Sequence, residues 1–169
     1  MNFILFLYLV YKYKISYKQM LLYLFSSLFI VFNFSKLDYI LFSYLLFASF
    51  VDYNVFIIPD TTHVFLLTYI LLTTNNLYID NILGSIIITI PFLIIYYTKK
   101  GIGFGDIKLV IFLGYILGVI NSIYMLNISV SFILLNIVIH KLMRIKINSK
   151  FAFGPYLIFS FTILFLSSH

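Results

Sequence analysis

Eight apolar runs follow one another along this chain with almost nothing between them. They cover residues 2–11, 19–34, 37–51, 61–79, 82–98, 107–120, 123–140 and 151–167. A helix that crosses a bilayer needs about 20 apolar residues, with a range of roughly 17–25, and most of these runs reach or approach that length. Composition closes off the soluble alternative. Hydrophobic residues make up 63% of the chain and charged residues 9%, with a mean hydropathy of +1.12. A water-soluble fold of 169 residues needs a polar shell that this chain does not supply. The expected fold is all-α, a polytopic membrane protein of about eight transmembrane helices, built as a single membrane-embedded domain over residues 1–169. The first run is the weakest, because ten residues rise only about 15 Å as a helix. It reaches further if Lys12 and Lys14 snorkel; if it does not span, the count is seven. No small-residue cleavage site follows that run, so no cleavable signal peptide is expected.

The basic residues set an orientation. With eight spans, Lys12, Lys14, Lys18, Lys99, Lys100, Lys108, Lys141, Arg144, Lys146 and Lys150 share one side, which is ten of the eleven. Lys36 lies on the other side with Asp38 and Asp80. This asymmetry predicts a multi-pass protein of the plasma (inner) membrane with its basic side in the cytoplasm. The net charge of +6 is thus assigned to loops facing anionic lipid, and nucleic acid is not an expected partner. No sequence feature sets an oligomeric state.

Five acidic residues are present, all Asp. Asp38 and Asp80 are expected to be solvated charges in short external loops. Asp52 differs, because it follows the apolar run Tyr39–Val51 and precedes a second apolar stretch up to Pro59 and Asp60. An acid at a span end, at the edge of low dielectric, is costly and marks a functional position. Pro59 disfavours helical geometry at Ile58, so a break in the chain is expected there. Asp106 lies in Gly101-Ile102-Gly103-Phe104-Gly105-Asp106-Ile107-Lys108. Three alternate glycines predict a flexible, partly wet loop that delivers Asp106 to the top of the next helix. The plain alternative for Asp106 is an N-capping residue for the helix starting at Ile107.

Asp52, Asp60 and Asp106 fall on the same predicted side. Two carboxylates sharing a proton can act as base and acid together, which is what peptide hydrolysis without a metal or a covalent nucleophile requires. No rival set exists. The chain has no cysteine and no Glu, and His63, His140 and His169 fall in different segments, where they read as helix-end or tail histidines. No metal site and no cofactor are expected. Gly114 and Gly118 form a GxxxG pair suited to close helix packing. Asn127-Ile128-Ser129 matches a glycosylation sequon but falls within a predicted span.

The two aspartate segments resemble those of the type IV prepilin peptidases. Asp52 with Pro59-Asp60 is similar to that family's first motif, an Asp followed seven positions later by Pro and then Asp or Asn. Gly103-Phe104-Gly105-Asp106-Ile107-Lys108 is similar to the second, GxGDxK. Ile15-Ser16-Tyr17-Lys18, the glycines at 114 and 118, and Phe153-Gly154-Pro155-Tyr156 extend the resemblance over nearly the whole chain. It implies a GxGD aspartyl protease with Asp52 and Asp106 as the catalytic pair. Pro59, Asp60, Gly103, Gly105, Lys108, Gly154 and Pro155 would be supporting motif residues. The implied partner is a prepilin or pseudopilin, cut after a Gly in its leader at the cytoplasmic face. Larger members carry a zinc-binding domain with CxxC pairs between their first two spans, associated with methylation of the product. Here that segment is only Lys12 to Lys18, so methyltransferase activity is not expected. A preflagellin-type GxGD protease, a transporter with intramembrane aspartates and a structural subunit of a pilus machine are the alternative readings.

Overall fold

The computed structural model describes residue 11 and residues 36–73, 78–99, 101–143 and 152–168. The described part is all-helical, with five helices: α1 (Lys36–Val55), α2 (Asp60–Thr73), α3 (Ile79–Lys99), α4 (Phe104–Leu142) and α5 (Gly154–Ser168). The predicted runs 2–11 and 19–34, and the segment Lys12 to Lys18, lie outside the described residues. Runs 37–51, 82–98 and 151–167 correspond to α1, α3 and α5.

The expected eight spans are not found among the described residues. Two helices there are long and apolar enough to cross a membrane, Ile79–Thr98 and Phe104–Leu142. Run 61–79 falls short because α2 stops at Thr73, ahead of a new helix at Ile79. Runs 107–120 and 123–140 differ in another way: they are joined within α4 with no loop between them. The joint is Gly118, whose φ of 74° and ψ of −176° lie outside helical geometry.

The bend at Gly118 folds α4 back on itself. Ser122 Oγ reaches the carbonyl of Gly118 and also that of Gly114, at 3.1 Å. In a straight helix, eight residues would separate that pair by about 12 Å of rise. Contacts further along agree. Phe132 in the returning arm packs edge-on against Phe159 of α5, at 5.2 Å between ring centroids. Tyr156, two residues beyond Gly154, is hydrogen-bonded to Asn136. Gly154 in turn bonds to Asp52 of α1. The outgoing arm packs against α3, whose Gly84 sits so close that an added Cβ would lie 2.7 Å from the Gly114 carbonyl oxygen. The GxxxG pair thus serves a backbone-to-backbone approach, as expected of small residues in membrane helices.

α1, α2, α4 and α5 share a core of Leu41, Phe42, Leu45, Leu66, Leu109, Val110, Leu113, Leu157 and Phe161, all buried. α3 adds Ile88 and Phe92 to this core and exposes Ile82, Leu83, Ile86, Ile87, Ile90 and Ile94 along its other face. A continuous apolar face of that kind suits lipid rather than water.

The helices alternate in direction, so two ends can be distinguished. One end holds Asp52, Asp60, Asp106 and Lys108; the other holds Asp38, Asp80 and Gly118. Asp38 and Asp80 are not loop charges as expected, since they lie in the first turns of α1 and α3. The Tyr69 hydroxyl donates to Asp38 Oδ1 at 2.6 Å, tying α2 to α1. The Val119 N–H donates to Asp80 Oδ2 at 3.3 Å, tying the bend of α4 to α3. Both carboxylates join helices.

Candidate active site

Asp52, expected at the end of its span, lies within the last turn of α1. The helix continues to Val55 and closes when the Phe56 N–H donates to the Asp52 carbonyl at 2.8 Å. Phe56 has a φ of 57°, the only non-glycine residue with positive φ among those described. Residues 57–59 are then non-helical, which is the break expected before Pro59, and α2 begins at Asp60. The Thr62 N–H donates to the Pro59 carbonyl at 2.9 Å, so Pro59 sits at a helix entrance, where its missing N–H is not needed.

The glycine segment is less loop-like than predicted. α4 starts at Phe104, and Asp106 sits in its first turn, three residues beyond the N-cap Gly103. Asp106 Oδ2 reaches back to accept the Gly103 N–H at 3.3 Å. Asp106 is therefore not the N-cap that the alternative reading made it. Its place in the first turn of a helix is favourable for a negative charge.

The two aspartates meet at one cavity of about 310 Å³. Asp52, Asp106, Gly103 and Gly105 line it together with Phe56, Ile57, Ile58 and Phe104, and Asp60 and Lys108 stand at it too. Asp52 is 4% exposed. The Asp52 carboxylate is close enough for its charge to act on Asp106. Each gives one oxygen to a backbone N–H: Asp52 Oδ2 accepts from Gly154 at 3.0 Å, and Asp106 Oδ2 from Gly103. Asp106 Oδ1 is buried with no hydrogen-bond partner among the described residues. Such an atom is costly in a finished core and typical of a working site.

The supporting residues sit around this pair. Gly154 presses on Asp52 so closely that an added Cβ would lie 2.7 Å from Oδ2. Ile58 fills the space between the glycines, 3.4 Å from the Cβ position of Gly105 and 3.4 Å from that of Gly154. Pro155 occupies the first turn of α5. Lys108 Nζ pairs with Asp60 Oδ1 at 3.2 Å, joining the two aspartate segments through an exposed bridge. Lys108 also stands 5.3 Å from the centroid of the Phe104 ring.

The histidines do not join the site. His140 lies in the last turn of α4, with Nδ1 2.9 Å from the Asn136 carbonyl oxygen, in keeping with a helix-end residue. His63 lies in the first turn of α2, also a helix end, and is 7% exposed and stacked on Phe112 at 6.1 Å, with neither ring nitrogen bonded among the described residues. His169 lies outside the described residues. No group of three metal-ligating side chains occurs among the described residues.

Sequence reasoning did not anticipate what Gly154 and Phe56 do. Gly154 lies 102 positions from Asp52 and gave only a late motif as a signal. Phe56 gave none, because nothing local marks a phenylalanine for positive φ.

A buried Asp52 and a half-buried Asp106 line one cavity, on helices with a lipid-suited surface. The chain belongs to the type IV leader peptidase family, whose sequence profile matches residues 39–139. The match takes in both aspartate segments and ends before Gly154. No curated protein and no solved structure gives a match. Family and apolar helices together mark a membrane protein and a peptidase of the leader-peptidase type.

Proposed function

We propose that this protein removes the leader peptide from type IV prepilins or pseudopilins at the cytoplasmic face of the plasma membrane, with Asp52 and Asp106 as an aspartyl protease pair. The observation that carries this reading is the arrival of both motif aspartates, from α1 and α4, at one cavity at one end of the helices. The ionised member takes a proton from water as its oxygen attacks the scissile carbonyl carbon. The protonated member gives its proton to the carbonyl oxygen. The tetrahedral intermediate then collapses: the C–N bond breaks, the leaving nitrogen takes the proton from the now protonated aspartate, and a hydroxyl of the intermediate returns its proton to the other as the new carbonyl forms. Proximity lets the pair share one proton, since two adjacent carboxylates do not both ionise easily. The backbone N–H groups of Gly154 and Gly103 hold one oxygen of each acid and leave the other for chemistry.

Lys108 and Lys141 lie toward the Asp52 end of the alternating helices, which supports a cytoplasmic position for that end. The fold is read as one membrane-embedded domain over residues 1–169. No metal or cofactor enters the reaction as written, and no methyl transfer accompanies it.

The test is to incubate the purified, reconstituted full chain with a prepilin and analyse the product by mass spectrometry. The expected product lacks its leader and carries no added methyl group, with cleavage unaffected by chelators. An intact prepilin would overturn the reading. A zinc-restorable loss with chelator would overturn the aspartyl mechanism, and a product heavier by one methyl would overturn the peptidase-only activity.

A further inference from the structure

Asn136 is a polar residue in an arm of α4 whose neighbouring positions expose Leu134, Leu135, Ile137 and Val138. An amide among lipid-suited side chains is costly unless it finds a partner on another helix. Its partner is Tyr156, in the first turn of α5. One turn away on both helices, Phe132 meets Phe159, so the two contacts lie along one antiparallel seam. The reversal at Gly118 makes this seam possible, because it folds the returning arm back toward α5.

The seam ends where Asp52 is held. Gly154 opens α5, and its N–H belongs to the turn whose backbone donors have no partner inside their own helix. It donates instead to Asp52 Oδ2 at 3.0 Å. The turn itself is closed by the Tyr156 and Leu157 N–H groups, which share the Phe153 carbonyl at 3.1 and 3.3 Å. First turns fray readily, so an anchor on the Tyr156 side chain sets where the Gly154 N–H points.

We propose that Asn136 and Tyr156 are positioning residues for Asp52, acting through the first turn of α5 and the Gly154 N–H. The proposal rests on the peptidase reading above and adds to it a hold on the carboxylate from the returning arm of α4. Neither residue lines the cavity, so their effect reaches the reaction through Asp52 and not through the substrate. A small displacement of a reacting group slows the chemical step without changing how substrate is bound. A hydrogen bond donated to a carboxylate also favours its ionised form. The hold thus helps keep Asp52 able to accept a proton from water.

The experiment uses the full chain in lipid vesicles, a prepilin as substrate, and the variants Tyr156→Phe, Asn136→Leu and the two combined. The first removes one hydroxyl, and the second replaces an amide with an apolar side chain of similar size. Each is expected to lower kcat roughly tenfold, the scale of a sub-ångström misplacement, with KM kept within about twofold. The acid limb of the kcat profile should move to higher pH, because Asp52 loses part of the bond that favours its charge. The other charged groups at the cavity, Asp106, Asp60 and Lys108, are untouched by either substitution. The double variant should be no slower than the slower single one, since both remove the same bond. A kcat and acid limb that both stay put, losses that multiply in the double variant, or a lowered Tm with kcat per folded molecule unchanged would each overturn the coupling. A wild-type protein that leaves the prepilin intact brings down the peptidase reading as well, whereas cleavage by wild type and variants alike brings down the coupling alone.

Discussion

The two ends of the helices hold the same side chain in different ways. At one end, Asp38 accepts the Tyr69 hydroxyl and Asp80 accepts the Val119 N–H, so each carboxylate holds two helices together. At the other end, the buried Asp52 also bonds across helices, to the Gly154 N–H of α5, while the half-buried Asp106 bonds only to the Gly103 N–H of its own segment and keeps an oxygen without a partner among the described residues. An acid engaged across helices contributes stability. An acid held on one side and left open on the other contributes reactivity at a cost in stability. Substitutions at the two ends should therefore separate activity from stability.

The largest effect is expected at the open pair. Asp52→Asn and Asp106→Asn should each cut cleavage by roughly 100-fold or more, because an amide cannot share the proton, with the variant still in the membrane. Cleavage assays on reconstituted protein check this, and more than a few per cent residual activity in either variant would remove the pair from its role. Next comes Gly154→Ala. The new methyl would meet Asp52 Oδ2 at 2.7 Å, and the carboxylate tip yields more easily than the backbone. Cleavage should fall roughly 10- to 100-fold, the scale expected when a reacting group is misplaced by about 1 Å, with little change in Tm. Equal losses of Tm and activity would instead make Gly154 a plain packing residue.

Tyr69→Phe should behave in the reverse way. It deletes the 2.6 Å hydrogen bond to Asp38, so stability should drop by about 1–2 kcal/mol. Cleavage per folded molecule should stay as it was. A thermal melt paired with a cleavage assay at low temperature separates the two quantities. The smallest effect is expected for Asp60→Asn. Its bridge to Lys108 is exposed, and exposed ion pairs contribute little. Activity should fall by less than about threefold, and a larger loss would mean that Asp60 touches substrate.

Much of this was legible in the sequence because bilayers impose simple rules. Among the described residues the apolar runs became helices, Pro59 marked a break, and two acids at the ends of apolar runs pointed to one end of the molecule. What escaped was non-local or conformational. The apolar run stops at Val51 while α1 runs on to Val55, since nothing in Tyr53-Asn54-Val55 announces another turn. Asp80 looked like a loop charge because its partner, the Val119 N–H, is set free only by the bend at Gly118. Runs 107–120 and 123–140 predict two spans joined at residues 121–122, whereas the reversal comes at Gly118, inside the first run. The hold of Gly154 on Asp52 depends on α5 returning to α1 and has no local signature.

The arms beside the cavity are short. α2 has 14 residues, and the outgoing arm of α4, residues 104–117, ends at the Gly118 bend. Each is about 21 Å long at 1.5 Å per residue, well under the roughly 30 Å of a typical hydrocarbon core. Lipid meets such a hydrophobic mismatch by thinning around the short elements. The expected consequence is a dimple in the bilayer at the carboxylate pair, bringing headgroups and water down to the cavity while leaving the longer α3 spanning at full thickness. Cleavage should then run faster in vesicles of shorter-chain lipid. A rate that rises steadily with acyl-chain length would show that the protein, and not the membrane, makes up the difference.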